Sequence, residues 1–123
     1  MSNTPAKVYV VHQPVRKDRD TNLWVPSLDI SDASRFGEIV FMLSSRRRPL
    51  FNDPTEWLPI LRERMMDFQP HDYLLMVGDM HLVGCALSLA ARRVGGMVNV
   101  LKWDAIKQEY DCLPTELWKK VAA

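Results

Sequence analysis

Two short stretches place carboxylates where a sheet-borne site would need them. Gly78-Asp79 follows the apolar run Tyr73-Leu74-Leu75-Met76-Val77 and precedes a long amphipathic segment, so a strand turns into a helix there. Amides at a helix start attract anions, yet Asp79 is suited to cap those amides itself and would repel a phosphate. The turn also lacks GxGxxG spacing, and no GxxxxGK loop with a following Ser or Thr is present. Capping is the expected role of Asp79, with ligand binding as its alternative. Asp104 ends the run Leu101-Lys102-Trp103, and Asp79 with Asp104 forms the one pair suited to acid–base work; Asp29 and Asp32 stand outside it. Arg46-Arg47-Arg48 is the most basic spot in the chain. Such guanidinium groups can contact phosphates or an acidic protein surface, against the plainer reading of a solvated loop. Arg16, Lys17 and Arg19 form a second basic stretch.

Other reactive constellations do not assemble. His12, His71 and His81 lack HxxxH and HExxH spacing. His81 and Cys85 share a helix face four residues apart, but a metal ion needs at least one further ligand and the spacing supplies none. No metal and no cofactor is therefore expected. No serine occupies a GxSxG elbow, and neither Cys85 nor Cys112 has a cationic neighbour to activate it. No residue is assigned as catalytic.

The elements that would position these groups follow from periodicity. Lys7 to His12 is β-branched and aromatic and reads as a strand closed by Pro14. Arg16 to Asn22 reads as a mixed-charge loop, and Leu23-Trp24-Val25 as a return strand that Pro26 confines to an edge. Ser31 or Asp32 caps a short helical turn, with Gly37 as its left-handed stop. Glu38 to Ser44 reads as a strand covered on both faces, as in parallel sheets. Asp53-Pro54-Thr55-Glu56 is a strong helix start, and Trp57, Leu58, Ile60, Leu61, Met65 and Phe68 then form one apolar stripe, with a slight kink at Pro59. A second helix over about 80–94 ends at Gly95-Gly96. Met97 to Trp103 is a core strand, Gln108 to Cys112 its hairpin partner, and Thr115 to Lys120 a last helical turn. This alternation predicts a small α/β sandwich over residues 1–123, with a mixed, mainly parallel sheet, two main helices and a C-terminal hairpin. In such sheets ligands gather at the carboxyl ends of parallel strands, which would bring Arg46–Arg48, Gly78, Asp79, Trp103 and Asp104 to one rim.

Composition narrows the function classes. With 123 residues, 47% apolar and 25% charged, the chain has ordinary globular composition and the size of one domain. Sixteen basic and 15 acidic side chains give a formal charge of +1, which excludes the strong basic surplus of a dedicated duplex binder. Two cysteines without a CxxC pair do not make a disulfide scaffold. Met1 to Pro5 lacks a secretory pattern, and Leu82 to Ala91 is too short to span a bilayer, so a cytoplasmic protein is expected, with no membrane partner.

Three segments, Lys7-Val8-Tyr9-Val10-Val11-His12-Gln13-Pro14, Asp72 to Asp79 and Leu101 to Asp104, resemble small functionally unassigned proteins of tailed bacteriophages and related mobile elements. The resemblance spans much of the chain and carries no catalytic motif. It implies a phage-type accessory protein acting in the host cytoplasm, and it transfers no functional residues. The leading expectation is a non-enzymatic protein that binds a host or viral protein, with Trp24, Met66 and Trp118 as exposed anchors; pairing of two copies through an edge strand is a related expectation. The rivals are a nucleic-acid-binding module using Arg46, Arg47 and Arg48 with Arg16 and Lys17, and a small enzyme using Asp79 and Asp104.

Overall fold

Val8 and Val10 point to one side of their strand and Tyr9 and Val11 to the other, and all four are buried. A strand with no polar face must lie inside a sheet with cover on both sides. The computed structural model, which describes residues 4–43 and 52–119, puts it there. The elements in chain order are β1 (Lys7–Val10), β2 (Val15–Lys17), β3 (Trp24–Pro26), a 3-10 helix (Ser31–Arg35), β4 (Glu38–Phe41), α1 (Pro54–Met65), β5 (Tyr73–Leu75), α2 (Met80–Arg93), β6 (Met97–Asp104) and β7 (Glu109–Glu116). Five strands form one sheet in the order β4-β1-β5-β6-β7. The first four run parallel, and β7 returns antiparallel to β6. The fold is therefore the α/β arrangement expected from the alternation, mainly parallel with a C-terminal hairpin.

The two sheet faces are buried differently. On one, α1 and α2 press Trp57, Leu61, Met65, Leu82, Ala86 and Ala90 against Tyr9, Val11, Leu74, Val98 and Val100. On the other, the 3-10 helix and its approach supply Ile30 and Ala33 against Val8, Val10, Leu75, Leu101 and Tyr110. Each fully buried aliphatic side chain contributes roughly 1.5–3 kcal/mol of transfer free energy, so the helical layer dominates the cohesion. The ends of the helices follow local chemistry. Asp53 accepts a hydrogen bond from the Thr55 amide at 3.1 Å, with Pro54 in the first helical position. Pro59 lies within α1 without ending it, although a helix residue there would ordinarily donate to the Thr55 carbonyl. At the far end of α2, Gly95 and Gly96 both adopt positive φ, as a left-handed stop requires.

Several expectations are corrected. Arg16 and Lys17 are not in a loop: they belong to β2, which pairs antiparallel with β3 in a separate two-stranded ribbon. The return strand β3 therefore pairs with β2 alone and stands apart from the main sheet. Gly37 is not left-handed; glycine stands there because a Cβ would run into the Ala6 carbonyl. Ile60 falls outside the buried stripe of α1 and is exposed. Thr115 and Glu116 continue β7 instead of starting a helical turn. Their pairing with Val98 and Met97 extends the ladder to eight residues, which outweighs the weak helix signal of a short terminal segment.

At the amino edge of the sheet, Asp72 is only 2% exposed. Its carboxylate accepts from the Lys7 amide at 2.9 Å and the Gln69 amide at 2.8 Å, tying the start of β1 to the approach of β5. A buried carboxylate is tolerated when backbone donors satisfy it in this way.

Candidate functional site

The connections around β1 create a crevice. After β1 the chain passes over the face carrying the 3-10 helix to reach β4 on one side. From β4 it crosses the opposite face through α1 and enters β5 on the other side of β1. Strands β1 and β5 are thus neighbours whose following segments diverge, and that divergence opens the space in which α/β sheets hold ligands. Gly78-Asp79, after β5, meets His12, after β1, where the Asp79 amide donates to His12 Nε2 at 2.9 Å. The accepting Nε2 carries a lone pair, so the ring proton is on Nδ1, which faces the Gln13 carbonyl at 3.2 Å. Gly78 has φ +122°, and a Cβ there would come within 2.7 Å of Val11 Cγ2 and 3.0 Å of His12 Nε2. A side chain at 78 would push the two strand ends apart.

A cleft of about 600 Å³ opens at this point. Its apolar wall is formed by Leu28, Val77, Trp103 and Tyr110, and Ser27, His12 and Asp79 supply the polar groups. Trp103 and Tyr110 face each other across the β6–β7 ladder, edge-on, with ring centroids 5.0 Å apart. Trp103 is part-exposed and lines the cleft, whereas Tyr110 beside it is buried. Burial, then the charges of Asp29 and Asp32, push the Tyr110 phenol above its ordinary value. The cleft is continuous with two neighbouring depressions, sharing Ser27 and Leu28 with one at the root of the ribbon and Trp103 with one beside the β6–β7 turn.

The sequence-derived candidates fall in different places. Gly78, Asp79 and Trp103 line the cleft together. Asp79 Oδ1 caps α2, accepting from the His81 and Leu82 amides at 2.9 and 3.2 Å. Asp104 lines the neighbouring depression instead. Its Oδ1 accepts from the Ile106 and Lys107 amides at 2.9 and 3.1 Å, and the Lys107 amide leads the hydrogen bonds that hold its carboxyl below the usual range. Both carboxylates are thus engaged in local caps, and they do not share the cleft. Arg16 and Lys17 are exposed on the ribbon. Arg46, Arg47 and Arg48 lie outside the described residues. His81 packs edge-on against Trp57 at 5.2 Å, while Cys85 packs into the helical core and both cysteines are free thiols. Among the described residues no three His, Cys, Asp or Glu side chains are grouped to hold a metal ion, and no helix is long and apolar enough to cross a membrane.

Among the cleft residues that sequence reasoning did not assign to a site are His12, Ser27, Leu28 and Tyr110. They come from three separate segments that only the fold brings together. Tyr110 carried one readable signal, as an aromatic residue opposite Trp103 in a hairpin. Ser27 and Leu28 carried none.

Residues 6–117 match the family model described as Phage Pam3 gp32-like protein. No curated protein and no solved structure matches the chain.

Proposed function

The chain belongs to the phage Pam3 gp32-like family, and from that premise we propose that it is a non-enzymatic accessory protein which binds a host or viral protein through the carboxyl rim of its sheet. One observation carries the reading: large apolar side chains stand exposed in the loops of that rim and on the ribbon rooted in it. Met80, at the start of α2, is 88% exposed and Ile106, in the β6–β7 turn, 95%. Leu23, Trp24, Leu28 and Trp103 are also exposed. Exposed apolar groups gathered at one end of the sheet fit an interaction surface, and Trp and Met are favoured in such surfaces. Met66 and Trp118 are exposed too, but they follow the C-terminal end of α1 and pack by the C-terminal end of α2, at the opposite edge.

The test compares captures from host and phage-infected lysates, treated with nuclease, using the parent protein and two variants. Met80→Glu with Ile106→Glu is expected to abolish capture of the protein retained by the parent, while Met66→Glu retains it. Equal capture by all three proteins sinks the rim as the interface.

A second reading rests on the ribbon. Two antiparallel strands fit a major groove, and Arg16 and Lys17 are exposed on β2. Their neighbours Asp18 and Asp20 reduce the local charge. Nucleic-acid binding would appear as DNA affinity that falls steeply with salt and is lost in Arg16→Ala with Lys17→Ala.

A further inference from the structure

We infer that the cleft between the ends of β1 and β5 is a binding site for a flat nitrogen heterocycle without a phosphate, neutral or cationic, of the nucleobase and nucleoside class. The inference goes beyond the protein-binding reading and does not depend on it, since it concerns a small molecule and the isolated chain.

The cleft's size comes first. About 600 Å³ lies within the range that holds small organic ligands, and its position is the crevice that open α/β sheets reserve for them. The shape of the ligand follows from the wall. Trp103 is part-exposed and fixed edge-on by buried Tyr110 at 5.0 Å, so its ring is a rigid platform. A planar aromatic ligand stacks on such a face whatever its identity. Leu28 and Val77 continue the apolar lining.

Charge decides between heterocycles with and without phosphate. At this crevice an anion would ordinarily meet the amides of the following helix. Here Asp79 Oδ1 already occupies the His81 and Leu82 amides, and the Asp79 amide itself is donated to His12. His12 turns Nε2 toward that amide and not toward the open cleft. Among the described residues the cleft itself is lined by no Lys or Arg, Arg16 lining the adjoining depression at the ribbon root, and Asp79 gives the cleft one formal negative charge. Asp79 Oδ2 makes no hydrogen bond among the described residues. It can accept from an amino group or ring N–H of a ligand seated against Trp103, and the Ser27 hydroxyl lines the same cleft. The site thus offers a stacking face, an acceptor for N–H donors and, at Asp79, a negative charge where a phosphate would approach the helix start.

The experiment titrates the ¹⁵N-labelled full chain with adenosine, guanosine, cytidine and thymidine, and separately with the corresponding 5′-monophosphates. At least one nucleoside is expected to shift the Ser27, Gly78 and Asp79 amides and the Trp103 indole in a saturable way. Its monophosphate should bind about threefold more weakly or worse, in keeping with like-charge repulsion near a surface. Trp103→Ala should weaken binding roughly tenfold, and Trp103→Phe, which keeps a flat face, should restore most of it. Asp79→Asn, whose amide oxygen can still cap α2, should weaken binding about fivefold. Four results overturn the inference. They are no nucleoside response at these signals up to the solubility limit, a monophosphate that binds as tightly as its nucleoside or tighter, a Trp103→Ala variant that binds like the parent, and a Trp103→Phe variant that binds no better than Trp103→Ala.

Discussion

Single residues here are constrained by backbone geometry as much as by chemistry, and two glycines show the contrast. Gly78 has positive φ and no room for a Cβ beside Val11 and His12. Gly84 sits in the exposed middle of α2 with nothing within 4 Å of a Cβ. Gly78→Ala is therefore expected to cost about 2 kcal/mol or more, whereas Gly84→Ala should stabilise by roughly 0.5–1 kcal/mol through helix propensity. Urea denaturation of both variants checks this, and equal effects at the two sites would refute the assignment of strain to Gly78. Two tyrosines make an independent prediction about pH. Burial first, then Asp72 and Asp67, raises the Tyr9 phenol above 10.0, and burial, then Asp29 and Asp32, does the same to Tyr110. A phenol whose folded value lies above its unfolded value holds its proton more tightly in the native state. Its contribution is whole below about pH 10 and is lost as pH rises through the folded value. Stability should fall above that pH, and the double variant Tyr9→Phe, Tyr110→Phe should fall less steeply. Parallel curves for parent and variant would show that other groups drive the loss.

At the scale of elements, the open edge of β7 is the place where two copies of the chain would be expected to pair. Its register argues otherwise. Pro114 stands opposite Asn99, and a residue without an N–H cannot belong to a pair that exchanges two hydrogen bonds. Pairing therefore alternates so that Tyr110, Cys112, Pro114 and Glu116 direct their backbone groups outward. The outward amide of Tyr110 donates to Asp32 Oδ2 at 2.8 Å, and its carbonyl accepts from Arg35. The 3-10 helix thus covers one end of the edge and proline removes a donor nearer the other, both recognised ways to prevent edge-to-edge association. Asp32→Ala combined with Pro114→Thr is expected to self-associate with rising concentration while the parent does not, as light scattering after gel filtration would register. A parent that already dimerises through β7 would contradict this account. The same edge shows what the sequence could and could not reveal. Tyr73 to Val77 and the segment after Asp79 were legible because burial on both faces and a helix cap are written in consecutive residues. The role of Asp32 was not legible, because it reads locally as a cap for its own turn. Its partner lies 78 residues away. The ribbon was half legible: Pro26 marked the edge character of β3, but β2 carries no apolar alternation to betray it. In the cleft, Gly78, Asp79 and Trp103 could be found by locating strand ends, whereas Ser27 and Leu28 enter through a long-range return that no local pattern encodes.

The whole molecule divides into a sheet covered on both faces and an appended ribbon. The five-stranded sheet is packed on both faces, while no residue of β2 or β3 is buried. A two-stranded ribbon is marginal in water without an apolar face to bury, so its opening free energy should be far below that of the sheet. Its three-residue strands are closed by the Asp18 and Leu23 backbone bond at 2.8 Å and rooted by the Ser27 amide on the Pro14 carbonyl at 2.9 Å. Native-state hydrogen exchange is expected to show amides of 16–25 exchanging orders of magnitude faster than those of β1, β5 and β6. If the proposed partner engages Trp24 and Leu23, its binding should slow exchange in the ribbon. A cleft ligand should slow exchange at Ser27 and Gly78 and leave the tip of the ribbon unchanged, because the tip does not line the cleft. Ribbon amides as protected as the sheet in the protein alone would mean that the appendage is part of the core. The rim would then be a preformed surface, with no ordering step on binding.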